Sequence, residues 1–417
     1  MTTFVEHVYA ECGGQYWIRS TGSDPHHGGQ HALFLIPKNP EPVDPAYVAT
    51  LSAEEQRELR KYPPGTRVYK PHELDADAAV VGQRDGTFAG GMFDLTNDML
   101  QADFVARAGA LGLTLDNPRT LATMMIDPAR RTEQFVAKKK SMTPQEAQLY
   151  FFRAGILKVI TDAMAVVDLH QDNVMPVGNS PLIIDAEVAF FQEQDSGLMK
   201  HALKTDHHDR DETGPRTNSS FDIIGVGKSG EVFKDEASPF RILFNQGYAF
   251  MLDQMRSDGG FFAGLYEAQL QNISKIRILP IATPDFAQYL HGAILTPKTE
   301  EFSYVDKANR KQRYNRQHDA SWVTDQIEER LKNPANRFIF DDVLLDKNEL
   351  TRAIKTTFDN GTIIAVYVNM NDGQIFLDNT PIGRILRGGH VLIKADIIGI
   401  MRDRFLNTVR TLPGTPA

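Results

Sequence analysis

The chain has 417 residues, 41% hydrophobic and 24% charged, with a formal net charge of −9. That length suits two or three lobes around a sizeable core, and the acidic balance argues against bulk binding of nucleic acid. The single cysteine, Cys12, excludes an internal disulfide framework and any zinc site built on several cysteines. No apolar run approaches about eighteen residues, so no membrane span is expected. The first residues, MTTFVEHVYAECGG, lack a basic region followed by an apolar core, so no secretory signal is read. A cytoplasmic setting is the expectation, with export by a signal-less route, or membership of a larger protein, left open.

In chain order, residues 15–36 predict a strand, a turn and a strand. Tyr16-Trp17-Ile18 leads in, Ser23-Asp24-Pro25-His26-His27-Gly28-Gly29 turns, and Ala32 to Ile36 leads out. A glycine-bearing hairpin of this kind lets the backbone approach phosphates closely, because glycine has no Cβ. His26, His27 and His31 are more simply exposed turn residues than a metal site. Residues 37–65, rich in proline and charge, read as an insertion, with a short helix at Ser52–Lys61 whose Ser52 and Glu55 fit a capping box. Thr66 to Pro71 is a short strand carrying Lys70, and Asp94–Leu111 a helix with apolar positions at Met99, Phe104, Val105 and Ala108. That helix holds Asp98 and Asp103 but no glutamate, so a partner for Lys70 is left unassigned. Phe135-Val136-Ala137 reads as a further strand, with Glu133 close by. Pro144–Val167 is the clearest helix: Thr143 is a good N-cap, Pro144 suits the first turn, Glu146 completes a capping box, and apolar residues cover most of the surface.

That helix runs into VDLHQDNVMPVGNSPLIIDAEVAF, residues 167–190. Asp168 and Asn173 are five residues apart with His170 between them, Asp185 ends the apolar run Pro181-Leu182-Ile183-Ile184, and Glu187 follows two residues later. The spacing is similar to a protein kinase catalytic loop, in which an Asp faces the hydroxyl to be phosphorylated and an Asn reaches a metal on the phosphates. A second Asp returns on a neighbouring strand to the same metal, and a strand lysine such as Lys70 aims at the α/β phosphates. The plainer alternative is a polar hairpin joining two core elements.

Beyond it, residues 192–240 are polar and read as a substrate-facing loop or as disorder. Gly225-Val226-Gly227-Lys228-Ser229-Gly230 matches GxGxxG but follows the catalytic loop and has no βαβ context, so it is rejected as a nucleotide site. Phe244–Met255 reads as helix and Lys275–Ile281 as strand, with Arg277 and Thr283 near its two ends. The basic run KANRKQRYNR at 307–316 is read as a solvated surface, with contact to an acidic peptide or a phosphorylated product as the alternative. A helix at Lys347–Phe358 precedes a hairpin, Ile363–Val368 and Gln374–Leu377, around Asn371-Asp372-Gly373. No internal repeat is present.

Six pieces, in order, resemble the dehydratase domain of class II lanthipeptide synthetases. Asp24-Pro25-His26 with Gly28-Gly29 resembles its Asp-x-His-x-x-Gly hairpin, and Tyr69-Lys70-Pro71 its Tyr-Lys-Pro-Arg strand, with His72 in place of the Arg. Asp168 to Asn173 resembles its Asp-x-His-x-Glu-Asn loop, Asp185-Ala186-Glu187 its Asp-x-Glu, and Gly247-Tyr248 a Gly-Phe pair. Arg277 and Thr283 resemble the Arg and Thr of Arg-x-x-x-Arg-x-Thr, although the second Arg is Ile281 here. The resemblance covers about residues 15–290, and the family's cyclase zinc ligands are absent.

The resemblance implies an α+β, two-lobed protein/lipid-kinase-like fold, with a β-rich N-lobe over 1–140 and a helical C-lobe over 141–300; residues 301–417 lie beyond it and read as a C-terminal α/β extension with no assigned role. It implies ATP and Mg²⁺ as cofactors, and phosphorylation of Ser/Thr hydroxyls in a peptide or protein, followed by phosphate elimination. Lys70 and Asp24 would meet the phosphates. Asn173, Asp185 and Glu187 would serve the metal, Asp168 the acceptor hydroxyl, and His170 the chemistry or a structural brace. Arg277 and Thr283 would assist elimination. Two alternatives remain open: a stand-alone or effector kinase without elimination, and a non-catalytic kinase-fold binding module.

Overall fold

The computed structural model describes residues 6, 8–10, 12–21, 31–50, 53–85, 88–170, 173–191, 198–203, 221–279, 302–305, 311–314, 320–332, 340, 342–359 and 365–416. The protein is a mixed α+β structure with eleven helices and five small sheets among these residues.

The N-terminal part is an antiparallel sheet of β1 (Tyr16–Ser20), β2 (Leu33–Pro37), β3 (Arg67–Tyr69), β4 (Ile126–Asp127) and β5 (Thr132–Gln134), in the order β1-β2-β3-β5-β4. The period-2 rule sends the residues of β2 to opposite faces. Leu33 and Leu35 join Val8 and Tyr69 in a small cluster on one face. Phe34 packs on the other against Tyr62 and Phe135, with ring centroids 4.6 and 5.8 Å away. Tyr62 directly follows the second of two short helices, α1 (Pro45–Thr50) and α2 (Ala53–Lys61), so the 37–65 segment is seated on the sheet by that ring. The strand expected at Phe135–Ala137 lies earlier, at Thr132–Gln134, because its register is set by pairing with β3: Arg67 opposite Gln134, Val68 opposite Glu133.

After β3 the chain enters α3 (Asp75–Val81) and α4 (Met92–Ala110), then β6 (Ser141–Met142) and α5 (Pro144–Met164). The capping box forms as the sequence expects, Thr143 accepting from the Glu146 N–H and Glu146 accepting from the Thr143 N–H. Sixteen of the 21 residues of α5 are buried, as an all-round apolar helix requires. It crosses α7 (Pro239–Ser257, preceded by the short α6, Ser229–Lys234) at two glycines. A Cβ on Gly155 would lie 1.9 Å from the Phe244 carbonyl oxygen, and one on Gly247 equally close to that of Phe152. Gly247 therefore has a packing reason: it lets two backbones touch. The hairpin β7 (Val174–Val177) and β8 (Ser180–Ile183) packs on α5, and β9 (Asp222–Ile223) joins β6 and β10 (Gly227–Lys228) in a small sheet.

The C-terminal residues are not a loose appendage. Following α8 (Gly259–Asn272), β11 (Lys275–Ile278) forms the edge of a sheet completed by β14 (Asp342–Leu345), β15 (Val366–Asn369), β16 (Gln374–Leu377), β17 (Thr380–Arg387) and β18 (His390–Val391). β12 (Phe302–Val305) and β13 (Lys311–Tyr314) form a separate hairpin, and α9 (Ala320–Lys332) and α10 (Lys347–Asp359) complete this part. The final helix, α11 (Lys394–Thr411), returns to the core. Its Arg404 donates to the Phe190 carbonyl at 3.0 Å, and Arg256 of α7 donates to the Val409, Arg410 and Leu412 carbonyls. Arg256 thus supplies donors and a positive charge at the carbonyl end of that helix. No helix among the described residues is long and apolar enough to cross a membrane.

Candidate active site

Lys70 leaves the end of β3 and points inward. Its side chain is 9% exposed, and its ammonium donates to the Ile184 carbonyl at 2.8 Å, with Glu133 at 3.3 Å and Asp185 at 3.8 Å. The carboxylate partner comes from strand β5, not from the helix at 92–110. A third carboxylate, Asp77 of α3, is fully buried and accepts the Ala186 N–H at 2.7 Å. Asp77 thereby fixes the backbone between Asp185 and Glu187, while its Oδ2 has no hydrogen-bond partner among the described residues.

One ammonium faces three carboxylates. Burial opposes the charge on Lys70, but Asp185, Glu133 and Asp77 outweigh it and push its pKa up. Burial, opposed by Lys70, pushes Glu133 up to about 8 and Asp77 up to about 6. Burial thus favours the protonated forms of Glu133 and Asp77, while the carboxylates favour the charged form of Lys70.

The Asp168 loop is shaped by the end of α5. Ala165 ends the helix in the left-handed region at φ 52°, and Asp168 adopts φ 63°, a conformation Asp tolerates better than most residues. Backbone bonds close the loop: His170 N–H to the Asp168 carbonyl at 2.9 Å, and Asn173 N–H to the His170 carbonyl at 3.0 Å. The Asn173 side-chain Nδ2 also donates to the Asp168 carbonyl, at 3.0 Å. Ile184 N–H donates to the Asn173 carbonyl and Val167 N–H to the Val188 carbonyl, both at 2.9 Å, so the 167–173 and 184–188 segments run side by side. Asn173 and Asp185 consequently stand at the open end of one hairpin. His170 Nε2 lies 4.0 Å from Asp168, both side chains about one-third exposed or more. Fully buried Arg153 of α5 holds the closed end of the hairpin, donating to Ser180 at 2.9 Å, and also to the Asn117 and Arg119 carbonyls.

Glu187 is engaged. One oxygen pairs with Arg277 of β11 and the other lies 3.6 Å from His72 Nε2; the Glu187 and Arg277 side chains are 13% and 6% exposed. Burial, then the charge of Lys70, lowers the His72 pKa to about 3, so the imidazole is neutral. Its Nδ1 donates to the Glu73 carbonyl at 3.0 Å, so Nε2 carries no proton and offers Glu187 neither a charge nor a donor; the carboxylate's ionic partner is Arg277. Glu187 and Arg277, expected in separate roles, thus meet as one buried pair.

Lys70, Asp185, Glu187 and Arg277 come together with three residues to which the sequence reading gave no role: Asp77, Glu133 and His72. A carboxylate inside the otherwise apolar Ala76 to Val81 was the available signal for Asp77. Asp24 and Thr283 lie outside the described residues, as does the turn between β1 and β2. Among the described residues no group of three or more His, Cys, Asp or Glu side chains is placed to hold a metal. Asp185 and the Asn173 amide nevertheless provide oxygen donors of the kind that suit Mg²⁺, which takes few protein ligands when phosphates supply the rest. Compared with known proteins, the chain matches the family described as "Domain of unknown function (DUF4135)" over residues 133–220, a domain found in lanthipeptide synthetases. The match begins at Glu133 and contains α5 and the whole Asp168–Glu187 stretch. No curated protein matches the chain.

Proposed function

We propose that the protein is an ATP- and Mg²⁺-dependent phosphotransferase with a two-lobed, kinase-like arrangement, acting on Ser/Thr hydroxyls of a peptide or protein. The observation that carries this reading is the buried Lys70 ammonium within 3.8 Å of Asp185, beside the hairpin whose open end holds Asn173. A lysine sealed among carboxylates is a costly arrangement to maintain for stability alone, whereas a phosphate-binding lysine needs partners that fix its position.

In this reading Lys70 neutralises the α/β phosphates, held by Glu133 and by the Ile184 carbonyl. Mg²⁺, when bound, neutralises charge on the phosphates, with Asn173 and Asp185 as its protein ligands. Asp168 orients the acceptor hydroxyl and takes its proton. Asp77 holds the Asp185–Glu187 backbone, and His170 braces the Asp168 loop. Phosphate elimination would follow if Arg277 stabilises the leaving phosphate. The Glu187–Arg277 pair gives specific support to a second reading, phosphorylation without elimination, because that cation already has a partner.

Thermal unfolding with and without Mg·ATP tests nucleotide binding. At a hundredfold excess over the dissociation constant, binding at one site stabilises by about 2.7 kcal/mol. The shift is expected for the wild type and not for Lys70→Ala. A wild type that does not respond would instead favour a non-catalytic binding module. Product mass separates the two catalytic readings: a retained phosphoryl group for transfer alone, the loss of one water when elimination follows.

A further inference from the structure

The C-terminal sheet delivers side chains to this site. In β11 and β15, Ile276, Ile278, Val366 and Val368 turn to the core and are 0–1% exposed. The alternate residues therefore face the other way: Lys275 and Arg277 on β11, and Tyr367, which lies directly opposite Arg277 in the ladder. That polar face meets the turn that follows Lys70. Between them is a cavity of about 180 Å³, with Pro71, His72 and Glu73 on one side and Tyr367 and Asp378-Asn379 on the other. Arg131 and Lys275 also line it.

The cavity's size and charge restrict its occupant. It is below the roughly 300–1,000 Å³ of small-molecule and cofactor pockets, so it does not take a nucleotide. At about 180 Å³ it is on the scale of one amino-acid side chain. Two cations, Arg131 and Lys275, face two carboxylates, Glu73 and Asp378, and Lys275 already lies 3.2 Å from Glu73. A balanced lining of this kind offers donors and acceptors together and gives no net attraction to a phosphate dianion. It suits an uncharged polar residue. His72 forms part of the wall and approaches Glu187, which is two residues from Asp185, so the cavity adjoins the proposed transfer site.

We propose that this cavity is a substrate subsite that holds one uncharged polar residue of the polypeptide acceptor, with Tyr367 as its specificity-determining side chain. The proposal rests on the phosphotransfer reading and assigns the C-terminal extension a function: it completes the acceptor side of the site.

The test uses the full chain, Mg·ATP, and a defined pool of short synthetic Ser- and Thr-containing peptides, with Tyr367→Phe and the surface change Asn379→Ala as variants. Nucleotide binding is followed with a fluorescent ATP analogue and turnover by peptide-dependent ADP release. The expected result is a rise of up to about tenfold in the peptide KM for each variant, the scale of one lost hydrogen bond, with nucleotide affinity unchanged. An unchanged peptide KM in both variants would overturn the subsite. So would a wild type that binds the nucleotide but shows no peptide-dependent turnover, and in that case nucleotide binding stands. A wild type that does not bind the nucleotide overturns the phosphotransfer reading and the subsite with it.

Discussion

Replacing Arg277 with methionine would leave the Glu187 carboxylate, 13% exposed, beside a neutral His72. Breaking a buried ion pair from one side costs about 3–5 kcal/mol, most of it the penalty of a charge left without its partner. Glu187 keeps some contact with solvent, so the lower end, about 3 kcal/mol, is expected here. Removing both charges in Glu187→Leu/Arg277→Met abolishes that penalty, and apolar replacement of a buried pair is often close to neutral. The double variant should therefore be more stable than Arg277→Met alone, with a coupling energy on the order of 1–3 kcal/mol in the cycle. Urea unfolding followed by far-ultraviolet circular dichroism measures all four proteins. Additive effects, with the double variant as unstable as the two single changes summed, would refute the pairing and the shared site built on it.

Gly247→Ala places a Cβ 1.9 Å from the Phe152 carbonyl, against backbone that cannot rotate away, so α5 and α7 must separate. A loss of about 1–3 kcal/mol or more is expected on overpacking grounds and is read as a lower thermal midpoint. The pH response of Glu133 has a definite sign. Burial pushes its folded pKa up to about 8, above the ordinary carboxyl value of 4.5, so the folded chain binds the extra proton between those limits. The associated stability is complete below about pH 4.5 and is lost as pH rises through about 8. Glu133→Gln should flatten that fall in urea titrations between pH 5 and pH 8, whereas an unchanged slope would show that another group titrates.

The parts of the site that were legible in the sequence are those whose geometry is local. Thr143, Pro144 and Glu146 announce α5, and Asp168, Asn173 and Asp185 sit on one short helix–loop–hairpin whose spacing survives folding intact. Pairing across the sheet was not legible. Glu133 reaches Lys70 only because β5 is hydrogen-bonded to β3, and a register cannot be read from three-residue strands with no turn between them. The strand expected at Phe135–Ala137 was displaced for the same reason. Asp77 was hidden because a single carboxylate in an apolar helix looks like an exposed position until the Ala186 N–H is found at its oxygen. The residues from Asn336 on carried no functional signal, since their link to the site is the pairing of β11 with β15, two strands far apart in the chain.

Intact mass spectrometry after incubation with Mg·ATP, on the protein itself and on Ser- and Thr-containing peptides, tests the central claim most directly. The account predicts a species carrying a phosphoryl group, or one lacking a water where elimination follows, with the wild type and with neither Asp168→Asn nor Asp185→Ala. No mass change in any species, with ATP neither bound nor consumed by the wild type, would contradict it.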